Sequence, residues 1–265
     1  MRKLLHIFRS ILQRLCAASN AFRQAFLGRK YLSKPSYSQY GEDMVLKAIF
    51  ARYPITYPGF YVDIGAHHPL RFSNTRFFYE QGWSGICVDP LPGSAQIFTR
   101  WRPRDMFLQV GVANAEGEMT YFMFDEPALN TFSEKIAGEN VSRVRLKQKV
   151  KVFPLRRIFA DHLPAREVDF LSVDVEGLDM EVLHSNDWTV YRPRIVLIEE
   201  TIASTLDDVE NLEVAIFMKQ HAYRAFARTP SALFFVDTRS TVYDGSSYLR
   251  FSNITFAKGG PENIT

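Results

Sequence analysis

Apolar residues fall in short runs that end on polar or small residues, and between the runs the spacing changes to that of amphipathic helices. Phe60 to Ile64 is an apolar run ending on Gly65. A helix-compatible stretch follows from about Ser73 to Gly82, and a second apolar run, Gly85 to Val88, ends on Asp89. This order predicts an opening β-α-β unit. Upstream, Ser38 to Tyr53 reads as a turn feeding a short helix, with Glu42 and Asp43 near its start expected to complement the helix macrodipole.

Downstream, Gly93 to Trp101 predicts a second helix and Met106 to Ala113 a third strand, with Asn114 at its carboxyl end. Glu116 to Phe124 alternates and is expected to lie beside strand three as a hairpin or edge strand. Residues 125 to 150 show no clear period and read as a mobile excursion, a candidate substrate-side loop. Val152 to His162 fits a short strand entering a helix, and Glu167 to Val175 is a buried strand with a polar tip, Asp174-Val175-Glu176-Gly177. A short helix from Leu178 to Leu183, a strand from Arg194 to Ile198 and a helix from Val209 to His221 follow. Tyr223 to Phe226 and Ala232 to Val236 read as closing strands.

Strands that alternate with helices predict an α/β fold with a parallel sheet. Polar residues recur where strands end: Asp63, Asp89, Asn114, Asp174 and Glu199. Ligands of open parallel sheets bind beyond the carboxyl ends of the strands, so these residues are expected to line one crevice.

The first 27 residues place Leu4, Leu5, Phe8, Ile11, Leu12, Leu15, Phe22 and Phe26 near one helical face, with Arg2, Lys3, Arg9, Arg14 and Arg23 largely elsewhere. Arg9 and Arg14 interrupt any run long enough for a membrane span or a signal-peptide core. Two readings of this basic amphipathic helix stay open: attachment to an anionic membrane surface, and packing of its apolar face on its own domain or a second subunit. The expected organisation is a helix over 1–30, a linker over 31–36, a catalytic domain over 37–240 and an extension over 241–265. A cytoplasmic location is expected, with the helix available to the inner membrane face.

Charge and cysteine content narrow the function classes. The net charge of +3 conceals an asymmetry: residues 1–41 hold eight Lys or Arg and no acid, while the rest holds 24 basic and 29 acidic residues. A mildly acidic body argues against nucleic acid as the main ligand. Cys16 and Cys87 are the only cysteines, which supports neither a disulfide framework nor a cysteine metal site.

Gly65 permits a tight turn and close backbone approach after the first strand. Asp89 lies 24 residues beyond it, where the second strand of a dinucleotide or adenosyl site presents a ribose-binding carboxylate. No further glycine occurs between Gly65 and Gly82, so the G-x-G-x-x-G phosphate cradle is missing. S-adenosylmethionine carries no pyrophosphate, and its sulfonium suits a rim of carboxylates; it is preferred to NAD on these grounds.

Six segments in order carry a family resemblance: Ser38-Gln39-Tyr40-Gly41-Glu42-Asp43, Val62-Asp63-Ile64-Gly65-Ala66, Ser73-Asn74-Thr75, Gly82-Trp83-Ser84-Gly85, Val88-Asp89-Pro90 and Val173-Asp174-Val175-Glu176-Gly177. Over roughly residues 36–240 the chain resembles the FkbM-type, class I S-adenosylmethionine-dependent methyltransferases. The resemblance implies a doubly wound, mostly parallel seven-stranded sheet whose last strand is antiparallel, and methylation of a hydroxyl on a saccharide, glycan or natural product. It implies Asp63, Gly65 and Ala66 along the cofactor's amino-acid end, Asp89 on the ribose and Ala113-Asn114 near adenine. His67 and Asn74 join the expected cofactor set. Asp174 and Glu176 would sit near the transferred methyl.

In-line displacement on a sulfonium-activated methyl asks the protein for alignment and for removal of the acceptor's proton. Asp174 is the first choice of base, followed by Glu176 and His68; the bland alternative for Asp174 is a cap on the following helix. No metal is expected, since adjacent histidines lack ligand spacing, although Asp174 and Glu176 with Glu199 or Glu200 form a conceivable cation set. A nicotinamide-dependent oxidoreductase and a catalytically silent, membrane-associated binding protein of the same fold are the competing readings.

Overall fold

The computed structural model describes residues 35–51, 53–54, 56–201 and 205–240. The expected N-terminal helix, Cys16 and the extension from 241 onward lie outside these residues. In chain order, helix α1 (Glu42–Phe50) precedes β1 (Phe60–Ile64), α2 (Arg76–Glu80), β2 (Ser84–Val88), α3 (Ser94–Trp101), β3 (Met106–Leu108) and the two-residue β4 (Gly111–Val112). There follow β5 (Gly117–Phe124), α4 (Glu134–Glu139), β6 (Val144–Phe153), α5 (Leu155–His162), β7 (Phe170–Val173) and α6 (Asp179–His184). The chain then passes through β8 (Ile195–Glu199), α7 (Glu213–Gln220), β9 (Tyr223–Arg228) and β10 (Ala232–Asp237).

Seven strands form one sheet in the order β3-β2-β1-β7-β8-β10-β9. The pairings from β3 across to β8 are parallel, and β10 runs antiparallel to both β8 and β9. The central strands are continuous apolar runs because both sheet faces are covered. On one face Val62, Ile64, Val173 and Ile198 pack with Leu155, Phe159, Leu183 and Met218 of α5, α6 and α7. On the other, Tyr61, Cys87, Phe170 and Phe234 meet Leu46, Phe50, Phe78 and Phe98 of α1, α2 and α3. Strand order turns back at β1, between β2 and β7, so a crevice opens over the carboxyl ends of these strands.

The second sheet departs from expectation. Met106 to Ala113 is not one strand: β3 ends at Leu108, and β4 leaves the main sheet to pair with the end of β6. β5 does not lie beside β3; it pairs antiparallel with β6 over its whole length, giving a separate sheet ordered β4-β6-β5. The stretch from 125 to 150 is ordered, with α4 and most of the ten-residue β6. Its strand signal was present: Val144, Leu146, Val150 and Val152 alternate with Arg145, Lys147, Lys149 and Lys151. A boundary drawn at residue 150 cut that pattern.

Glu42 and Asp43 are buried, which the macrodipole reading did not anticipate. Asp43 accepts from the Tyr37 amide at 2.7 Å and the Ser38 hydroxyl at 2.9 Å. Glu42 accepts from the Tyr40 amide, from Thr229 at 2.6 Å and from Ser231 at 3.3 Å. Glu42 thus joins the start of α1 to the turn between β9 and β10, and Asp43 holds the segment that precedes the helix. Among the described residues no helix is long and apolar enough to cross a membrane.

Candidate active site

Gly65 follows β1 at φ +84°, and a Cβ there would meet the Asp174 carbonyl oxygen at 1.7 Å. Only glycine lets the tips of β1 and β7 come this close. Beyond them lies a cleft of about 760 Å3 of free space, including its open mouth. Ile64, Gly65, Val88 and Asp89 form its floor; Val110 to Val112 form one wall; Tyr121, Asn130 and Phe132, from the second sheet and its loop, cover it. Asp174 and Glu176 close the far end.

Asp89 is the structure's strand-end acid in this cleft. Its carboxylate accepts from the amides of His67 at 2.7 Å and Leu91 at 2.8 Å, fixing the loop after β1. Burial raises its pKa to about 6, against the opposing pull of these two amides. His67 lies in the same lining at φ +47°, and its buried Nε2 has no hydrogen-bond partner among the described residues. Burial and the Arg71 and His68 charges lower its pKa to about 4, so its imidazole is neutral at physiological pH.

A second recess of about 310 Å3 adjoins the first over the carboxyl ends of β7 and β8. Gln39, Glu42, Asn74, Glu199 and Ser231 supply its polar lining, and Asp174 belongs to both recesses. Asp174 and Glu199 are hydrogen-bonded carboxyls. Burial raises both; the hydrogen bond from Glu199 draws Asp174 back down, while the Asp174 charge pushes Glu199 higher still, so the pair keeps a proton at neutral pH. Burial with the Asp174 charge raises Glu176 to about 8 and Asp179 to about 7.

Carboxylate oxygens of Asp174, Glu176 and Glu199 approach one another within 4.8 Å, a hard-donor set able to hold a divalent cation. Asp174 does not cap α6: the N-cap is Leu178, without a side-chain bond, and Asp179 accepts from the Val175 amide instead. Glu176 sits at φ +54° and Gly177 at φ +94°. This turn is clasped from the second sheet, where Thr131 donates to the Glu176 carbonyl at 2.7 Å and Ile136 occupies the space beside Gly177.

Of the expected residues, the main cleft brings together Gly65, His67, Asp89, Asp174 and Glu176, while Asn74 reaches the adjoining recess and donates to Ser172 at 3.1 Å. The others stand elsewhere. Asp63 shares the Tyr61 side of β1 and accepts from Thr75 at 2.9 Å, in a buried network where Arg102 holds Thr75, Tyr61 and Asp105. Ala66 is packed in the core beneath the loop. Ala113 is buried against Tyr121 and Phe132 and Asn114 is exposed, because the chain has already crossed into the second sheet; Val110 to Val112 take the place expected of them. His68 lines neither recess, since its Nδ1 accepts from the Leu70 and Arg71 amides and closes its own loop.

The cleft fits S-adenosylmethionine on three observations. Among the described residues no Lys or Arg lines it, so a pyrophosphate would lack a cation there. Carboxyls crowd the end where a sulfonium would be stabilised. The orphaned Nε2 of His67 leaves one buried hydrogen-bonding atom for a ligand to satisfy.

A family model described as Methyltransferase FkbM domain matches residues 63–225. No curated protein matches the chain. Among solved structures, the chain is similar to a TehB-like SAM-dependent methyltransferase from Corynebacterium glutamicum, with a TM-score of 0.38 and 12% identity over 83% of this chain and 98% of that one. It is also similar to 1,6-didemethyltoxoflavin-N1-methyltransferase from Burkholderia thailandensis, solved with 1,6-didemethyltoxoflavin and S-adenosylhomocysteine bound, with a TM-score of 0.39 and 14% identity over 88% and 89%. A third is a putative RNA methyltransferase from Pyrococcus horikoshii, with a TM-score of 0.39 and 9% identity over 77% and 91%.

Proposed function

The chain belongs to the FkbM methyltransferase family, and from that premise we propose that it methylates a hydroxyl of a saccharide, glycan or natural product, with Asp174 as the base. Its sheet is that of a class I methyltransferase, and S-adenosylmethionine is its methyl donor. The observation that carries the finer reading is the position of Asp174 at the junction of two recesses, a larger one and a smaller, polar one. Gln39, Glu42, Asn74 and Ser231 offer the smaller recess several hydrogen-bonding groups, which suits an acceptor rich in hydroxyls.

S-adenosylmethionine supplies an electrophilic methyl and leaves as S-adenosylhomocysteine. Asp89 would accept hydrogen bonds from the ribose hydroxyls, with the Nε2 of neutral His67 available in the same lining. Val88, Val110 and Phe132 wall off water. Asp174 takes the acceptor's proton as the hydroxyl oxygen forms its bond to carbon. Glu199, keeping its own proton, donates to Asp174 and holds the accepting oxygens in place. Glu176, poised at about 8, is the reserve carboxyl at the same end.

The test is to incubate the protein with methyl-labelled cofactor and an extract of its source, then locate the label by NMR. Label on an ether oxygen supports the reading. Label on nitrogen or carbon overturns it, and cofactor binding without any labelled product favours a silent binding protein.

A further inference from the structure

We propose that the outward face of β6, carrying Lys147, Lys149 and Lys151, docks on the headgroups of an anionic lipid bilayer. Lys147, Lys149 and Lys151 occupy alternate positions of β6 and so share one face, about 6.8 Å apart, with Arg143 in the turn before the strand and Arg145 at its irregularity nearby. These basic residues stand on a body in which acids outnumber bases.

Local compensation is uneven. Asp125 holds Arg143 at 3.2 Å and Arg145 at 3.7 Å, and Glu118 stands opposite Lys151 in the strand register. Lys149 faces Thr120, and Lys147 faces Phe122, over whose ring its ammonium lies at 5.2 Å. Helix α4 covers the Phe122 and Phe124 end of this face through Ala137 and exposes Glu134 and Glu139 beside Lys135. The uncompensated charge is therefore concentrated on Lys147 and Lys149.

Charge complementarity selects the occupant. Lysines on an open strand edge also discourage strand addition, and β6 is open along much of one side because β4 pairs only with Val152 and Phe153. Blocking an edge needs one or two charges; a register of cations on a flat ribbon fits a sheet of anionic headgroups. Val141, 69% exposed, adds an apolar side chain in the turn before the strand. The aromatic side chains of this face, Phe122 and Phe124, are buried, so it offers no stacking platform for single-stranded nucleic acid.

The test compares the full chain with its Lys147→Gln/Lys149→Gln/Lys151→Gln variant by co-sedimentation with vesicles of phosphatidylcholine alone or mixed with phosphatidylglycerol. The contribution of residues 1–41 is common to both proteins. The expected result is about a hundredfold weaker binding of the variant to the anionic vesicles, a gap that closes with added sodium chloride. Unchanged melting temperature and S-adenosylhomocysteine affinity show that the variant is folded. Binding to anionic vesicles within about twofold of wild type overturns the proposal, as does an equal loss on both vesicle types. Loss of heparin retention with vesicle binding kept assigns the face to an acidic glycan and overturns it too.

Discussion

The Thr131 hydroxyl donates to the carbonyl oxygen of Glu176 across 2.7 Å, tying the second sheet to the turn that carries the acidic end of the cleft. Thr131 is fully buried, and its oxygen also accepts from the Ser133 amide at 2.9 Å. A left-handed, non-glycine residue such as Glu176 persists only where its surroundings hold it. Thr131→Val removes both bonds while keeping the shape. It is expected to cost about 1–3 kcal/mol of stability and to weaken S-adenosylhomocysteine binding in calorimetry. Thr131→Ser is expected to restore both, and a valine variant that binds like wild type would separate the clasp from the site.

Asp89 is expected to govern cofactor affinity. Asp89→Asn keeps the volume but removes the charge and one acceptor, and is expected to raise the Kd for S-adenosylhomocysteine about tenfold or more. The thermal shift given by saturating ligand shrinks accordingly. An unchanged Kd would remove Asp89 from the cofactor site.

Crowded carboxyls give the ligand-free protein an unusual pH dependence. Glu176 at about 8, Asp179 at about 7 and Asp89 at about 6 all bind protons more tightly folded than unfolded. Their stabilising effect is complete below the unfolded values and is lost as pH rises through the folded ones. Lowering the pH from about 8.5 to 6.5 is therefore expected to raise the melting temperature. His67, whose pKa is lowered to about 4, acts in the opposite sense from the lower edge of that window downward, a smaller effect there than that of the carboxyls. Glu176→Gln is expected to add about 1 kcal/mol at pH 8, roughly 2–4 °C, and to flatten the slope; a wild-type melting temperature that falls over the same interval contradicts this.

The same carboxyls should distinguish a cation from its neutral counterpart. S-adenosylmethionine carries one positive charge more than S-adenosylhomocysteine, and the acidic end of the cleft ionises as pH rises through 7 and 8. The ratio of their affinities, measured by competition, is expected to shift severalfold toward S-adenosylmethionine between these pH values. A pH-independent ratio would mean that the sulfonium is held elsewhere.

The parts legible in the sequence were those set by local pattern. β1, β2, β7 and β8 are unbroken apolar runs because they are covered on both faces, so their boundaries were read within a few residues. Asp89 and Asp174 could be placed because each stands just beyond a strand's carboxyl end. Asp63 shows the limit of that rule: a motif gives position along a strand, while the pleat decides the face, and the side it shares with Tyr61 leads to Arg102. Glu42 was opaque for another reason, since Thr229 and Ser231 are nearly two hundred residues away and no local pattern announces them. Tyr121, Asn130 and Phe132 were missed because they lie on an insertion whose partner strand had been cut short.

The most direct measurement is turnover of labelled methyl by the Asp174→Asn protein beside its affinity for S-adenosylhomocysteine. If Asp174 is the base at the junction of the two recesses, turnover falls about a hundredfold or more while affinity changes by no more than a few-fold. Wild-type turnover in Asp174→Asn, or equal losses of turnover and affinity, would contradict the assignment.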